Sequence, residues 1–274
     1  MAGRLDGQVA IVTGGGRGIG REIALALGRE GAAVALVART SAEIEAVAGE
    51  IAAGGGRAAA EPLDLLDAAA VADSFARIAD TLGPVDFLMN NAGTFTGIGP
   101  IWEVDPATWW RDVETNVRGT FNACRAIVPA MRARRRGRIV NMVGGGTAIA
   151  FPHGTGYAIS KVGLARFSES IDAELADTGV LVFAMDPGLV RTAMTEYQLQ
   201  SDVGQRWLSR IKDRFAAGAN LSPTRAAALA VDVAAGRFDA MHGRLLRAAD
   251  DRDAVADSID TIVAQDRQVL RIVS

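Results

Sequence analysis

Short apolar runs alternate with stretches in which apolar residues recur every three to four positions. Val9–Thr13 and Ala33–Ala38 are almost wholly apolar, the composition of strands covered on both faces. Further strands are expected at Arg57–Leu63, Val85–Asn90, Arg138–Val143, Val180–Met185 and Gly243–Arg247. Between them, helical spacing runs over Arg21–Gly28, Ser41–Ala53, Leu66–Leu82 and Pro106–Arg136. One more helix is expected from Gly154 or Thr155 to Ala176. Ser41 is a helix cap by type, and Gly54-Gly55-Gly56 ends that helix. Strands alternating with helices predict an α/β fold, a doubly wound seven-stranded parallel sheet with helices on both faces. No repeat or linker divides the chain, so residues 1–274 are read as one domain.

Composition narrows the function. The formal charge of −3 argues against a nucleic-acid partner. One cysteine, Cys124, excludes an intrachain disulfide, and two histidines, His153 and His242, are too few for a histidine metal cluster. No apolar run reaches the roughly 20 residues of a membrane span. A soluble, cytoplasmic protein without a leader or membrane contact is expected. The basic run Met131–Arg138 is read as cations complementing a helix C-terminus.

Chemistry is suggested at two places. After the first strand comes Thr13-Gly14-Gly-Gly-Arg17-Gly18-Ile19-Gly20, and a helix follows. Strand, glycine turn and helix form the context of a dinucleotide site, where bare backbone approaches a pyrophosphate at a helix N-terminus. At the end of the second strand an NAD site normally carries an acidic residue for the ribose hydroxyls. This chain has Ala38-Arg39-Thr40 there. Arg39 and Arg17 are suited to clamp a 2′-phosphate, so NADP(H) is preferred and NAD(H) is the alternative. The second place is Tyr157-Ala-Ile-Ser-Lys161. Residues four apart share a helix face, and an ammonium beside a phenol lowers the phenol's pKa. Tyr157 is thereby expected to exchange a proton at ordinary pH.

Further motifs complete a resemblance. Asp64-Leu65, Asn90-Asn91-Ala92-Gly93, Asn116 in Asn-Val-Arg-Gly119, and Asp186-Pro187-Gly188-Leu-Val190-Arg-Thr192 follow in order. With the glycine turn and Tyr157/Lys161, they make the chain similar to short-chain dehydrogenases/reductases, from about Leu5 to Thr192 and more weakly to Arg247. The resemblance implies a Rossmann-type fold. It implies that Asp64 and Leu65 hold adenine, and that Asn91, Ala92 and Gly93 line the cofactor. Pro187, Gly188, Val190 and Thr192 would contact the carboxamide. Tyr157 would be the proton donor and acceptor, Lys161 would lower its pKa and bind the ribose, and Asn116 would hold a relay water.

One departure stands out. The family's catalytic serine follows the fifth strand, and ungapped alignment puts its role on Gly144. Losing one such donor costs about 10²–10³ in rate. Three accounts compete: Thr147 or His153 substitutes, the substrate supplies an internal hydrogen bond, or catalysis is weak. Residues 193–222, with Met194 and Tyr197, are expected to be a lid over a largely apolar substrate pocket. Residues 249–274 are expected to dock on the body or a partner chain. The expected function is NADP(H)-dependent interconversion of a carbonyl and an alcohol on a small molecule, in a homodimer or homotetramer. The alternatives are a catalytically weak NADP(H)-binding regulatory or scaffold protein, or an enoyl or dienoyl reductase.

Overall fold

The structure, a computed structural model, describes residues 3–271. Seven strands form one parallel sheet: β1 (Val9–Thr13), β2 (Ala33–Ala38), β3 (Ala58–Pro62), β4 (Phe87–Asn90), β5 (Gly137–Met142), β6 (Val180–Asp186) and β7 (Leu245–Arg247). Their order is β3-β2-β1-β4-β5-β6-β7, so the winding reverses between β1 and β4. Ligands of such sheets bind outside the carboxyl ends of the strands at this reversal. Thr13 and Asn90 are paired there in register.

The apolar runs explain the layering. Alternate residues of β1 serve opposite cores: Ala10 and Val12 pack with one, Val9 and Ile11 with the other. The first core is closed by α1 (Gly18–Arg29), α2 (Ser41–Ala53) and α10 (Pro223–Ala234). The second is closed by α3 (Ala68–Leu82) and α5 (Gly119–Ala133), with the side of α6 (Thr155–Glu174) against it. Cys124 is buried in that core, and loss of solvation pushes its thiol up to about 12.

The long helix expected over Pro106–Arg136 is broken. It begins as α4 (Pro106–Val113), widens into a π turn over Glu114–Arg118, and resumes as α5. Such π bulges occur frequently at functional sites, and this one carries Asn116. The basic run beyond α5 is absorbed internally. Arg134 and Arg136 pair with buried Asp86, and Arg138 pairs with Asp239.

After β6 come three short helices, α7 (Ala193–Gln200), α8 (Asp202–Trp207) and α9 (Ser209–Ala216). Leu208 and Ile211 bury themselves against Phe95 and Ile98. The chain ends with α11 (Arg252–Asp257) and α12 (Ile259–Ala264). Asp251 caps α11, Ile262 joins the first core, and the Leu270 amide donates to Glu169 on α6 at 2.7 Å. The last three residues of the expected C-terminal extension lie outside the described residues.

Candidate active site

A cleft of about 470 Å³ opens over the carboxyl ends of the strands. Its first wall is the glycine turn. Gly14 has φ +65°, and a Cβ there would stand 2.9 Å from Asn91 Nδ2. A Cβ on Gly20 would stand 2.2 Å from the Gly14 carbonyl oxygen, so only glycine closes this turn. Thr13 does not line the cleft but fixes its floor. Its hydroxyl oxygen accepts from the Asn91 and Ala92 amides at 3.0 and 3.1 Å. Asn91 Nδ2 donates back to the carbonyls of Thr13 and Gly14 at 3.0 and 3.2 Å. The ends of β1 and β4 are thus tied to one another.

Gly14, Arg17, Gly18, Ile19, Arg39, Asp64, Leu65, Asn91, Ala92 and Gly93 all line the cleft. Pro187, Thr192, Met194 and Tyr197 close it from the other side. Thr192 also caps α7 and meets the turn, for a Cβ on Gly18 would lie 3.3 Å from its methyl group. Gly188 and Val190 stand behind the lining: Gly188 turns the chain at φ +72°, and Val190 is buried beside Leu221.

Tyr157 and Lys161 enter from the first turns of α6. The Lys161 ammonium lies 5.5 Å from the centre of the Tyr157 ring and donates to the Met142 carbonyl at 2.9 Å. Asn116 is buried and holds the floor beneath them. Its Nδ2 donates to the Thr94 carbonyl at 3.0 Å and to Ser160 Oγ at 2.9 Å, while its Oδ1 accepts from the Thr94 amide at 2.8 Å. A Cβ on Gly93 would sit 2.9 Å from that Oδ1 and 3.6 Å from Lys161 Nζ, so the bare glycine lets them approach.

The ionisation of the pair reverses one expectation. The Tyr157 phenol is pushed up, not down, chiefly because the surrounding protein strips its solvation, with the Asp186 and Asp112 carboxylates adding to the effect. A part of the residue still faces the cleft. Burial lowers the Lys161 ammonium to about 8, and Asp186 pulls it back upward. Asp112, Thr94 and Ser160 were not singled out in the sequence, and Asp186 stood there only as the start of the Pro-Gly segment, without a role. Asp112 is fully buried, accepting from the Thr96 and Gly97 amides at 2.8 and 2.7 Å, and nothing in its sequence context distinguishes it from a surface aspartate. Phe95, two residues after Gly93, stacks on Tyr157 with ring centres 4.4 Å apart.

Gly144 is buried beside the phenol. A Cβ built on it would stand 3.0 Å from the Tyr157 hydroxyl, so a side chain at this position would point at that group. Neither Thr147 nor His153 lines the cleft. The buried Thr147 hydroxyl donates to the Gly144 carbonyl at 2.7 Å. His153, at φ +64°, places Nδ1 3.0 Å from the Trp207 carbonyl and its ring against that indole.

The short chain dehydrogenase family model matches residues 8–202. The chain belongs to the short-chain dehydrogenase family. It is 38% identical to a short chain dehydrogenase of Pseudocercospora fijiensis over 70% of this chain, a match spanning only 62% of that protein's length. It is 35% identical to 2-dehydro-3-deoxy-L-rhamnonate dehydrogenase (NAD(+)) of a Sphingomonas species, over 74% of this chain and 80% of that one. A solved structure from Beutenbergia cavernae, of a candidate NAD(P) dependent gluconate 5-dehydrogenase with NADP bound at low occupancy, superposes with a TM-score of 0.80. That match has 34% identity and covers 89% of this chain and 96% of the other. Short-chain dehydrogenases are oxidoreductases, and the seven-stranded sheet described above is their fold.

Proposed function

We propose that this short-chain dehydrogenase interconverts a carbonyl and an alcohol on a small, largely apolar substrate, using NADP(H) in preference to NAD(H). The observation that carries the reading is the convergence of Tyr157 and Lys161 on the cleft that the glycine turn walls. The fit to a dinucleotide rests on that turn. Gly14 and Gly20 leave no room for side chains, and α1 begins at Gly18 with no side-chain cap on its amides. Asp64, Leu65 and Asn91–Gly93 would hold the adenosine side and the bridge, and Lys161 the nicotinamide ribose. When bound, the nicotinamide gives or takes the hydride.

The chain's own residues handle the proton. The Tyr157 hydroxyl protonates the substrate oxygen in reduction and takes the proton back in oxidation. The Lys161 ammonium, 5.5 Å from the centre of the Tyr157 ring, favours the phenolate that donation leaves behind. Asn116 positions the strand-end loop through Thr94 and, with its second lone pair on Oδ1, has capacity for a relay water. Phe95, Met194 and the Tyr197 ring line the cleft and make the substrate end apolar, and α7–α9 act as its lid.

The family serine's place is taken by Gly144, supported by the aim of its virtual Cβ at the phenol. With Thr147 and His153 both engaged elsewhere, the substrate's own hydrogen bond becomes the favoured replacement. The same bare position supports the second reading, a weakly catalytic NADP(H)-binding protein. No helix among the described residues is long and apolar enough to cross a membrane. Exposed Trp110, Phe121 and Ile159 on α4–α6 support a homodimer or homotetramer. Fluorescence titration tests the cofactor assignment: NADPH binds more tightly than NADH, and equal dissociation constants would remove the role of Arg17 and Arg39.

A further inference from the structure

Where β2 ends, the cleft wall carries a carboxylate as well as two guanidinium groups. Arg17, Arg39 and Glu43 line it together. Glu43 lies in the first turn of α2. Gly16 admits it: a Cβ on that glycine would stand 2.7 Å from Glu43 Cβ, so the turn and α2 touch at this point. Arg17 Nη1 pairs with Glu43 Oε1 at 3.5 Å, with 70% of the arginine side chain and 36% of the glutamate exposed. Arg39 joins no ion pair among the described residues.

We infer that Glu43 is a specificity-determining residue that opposes the two arginines and narrows the preference for NADP(H) over NAD(H). The inference rests on the cofactor reading given above. A 2′-phosphate held by Arg17 would share that guanidinium with a carboxylate already paired to it. Like charges a few ångströms apart around one cation repel, and the arginine's charge is partly spent before the phosphate arrives. The dinucleotide without the phosphate meets no such opposition. In a site this open to water and salt the effect is modest, about three- to tenfold in affinity. Glu43 acts through Arg17, so its influence depends on Arg17 being present.

The test is a set of fluorescence titrations of NADPH and NADH against the natural chain, Glu43→Gln, Arg17→Gln and the double variant, each at low and high salt. Glu43→Gln is expected to tighten NADPH about three- to tenfold and to leave NADH within about twofold. The gain shrinks at high salt and in the Arg17→Gln background. A Glu43→Gln protein with unchanged or weaker NADPH binding overturns the inference. So does equal tightening of both dinucleotides, or a full gain that survives loss of Arg17, because a merely structural role predicts those results. A natural chain that binds neither dinucleotide overturns instead the cofactor reading on which the inference stands.

Discussion

In the proposed mechanism Lys161 supplies the charge that stabilises the phenolate, and that charge can be followed directly. Lys161 and Lys212 are the two lysines of the chain. Lys161 is 4% exposed, and loss of water pushes its ammonium from 10.5 down to about 8, with the Asp186 carboxylate acting in the other direction. At about 1.4 kcal/mol per pH unit, that drop favours the neutral amine by about 3 kcal/mol. The unfolded chain keeps the proton up to the higher value. Between about pH 8 and 10.5 the unfolded state therefore binds more protons, and this residue's contribution to stability rises with pH across that window. Asp186→Asn removes the opposing charge while keeping an oxygen for the Gly188 amide, which donates to Oδ1 at 2.9 Å. Lysine labelled with ¹³C at Cε gives two resonances, and Lys161→Met assigns them. The Lys161 resonance is expected to titrate near pH 8 in the natural chain and lower in Asp186→Asn. A midpoint near 10.5, or one that rises when Asp186 is neutralised, would refute an ionisation governed by burial.

Gly144→Ser is expected to raise turnover at least tenfold on a simple ketone, since one oxyanion donor is worth about 10²–10³. The Tyr157 hydroxyl must give way by a few tenths of an ångström to the new Cβ at 3.0 Å. Unchanged turnover on that ketone means another group already supplies the hydrogen bond. Light scattering of the natural chain is expected to show two or four copies, and Trp110→Glu with Phe121→Glu to shift it toward monomer. A natural chain that runs as a monomer contradicts the assembly.

The sheet was legible from length: the uninterrupted apolar runs at Val9 and Ala33 are five and six residues long, too short for a buried helix and right for strands covered on both faces. The glycine turn was legible for a steric reason, since Gly14 and Gly20 admit no Cβ. The π turn was not, because Pro106–Arg136 keeps helical spacing throughout, and a one-residue widening leaves no mark in the pattern. The direction of the Tyr157 shift was also hidden. Spacing on a helix reveals the lysine, but Asp112 and Asp186 reach the phenol from α4 and the end of β6, and burial is a property of the assembled cleft. Thr147 and His153 were near Gly144 in sequence, yet local turns direct the first to Gly144's own carbonyl and the second to Trp207.

The central claim is that Tyr157 passes the proton that accompanies hydride transfer. The most direct measurement is NADPH oxidation over a panel of ketones, quinones and enoyl thioesters, by the natural chain and by Tyr157→Phe, with NADPH affinity measured in parallel. The account predicts ketone-dependent oxidation that falls at least about 10²-fold in Tyr157→Phe while NADPH binding is retained. Equal turnover in the two proteins, or binding of NADPH with no turnover on any carbonyl in the panel, would contradict it.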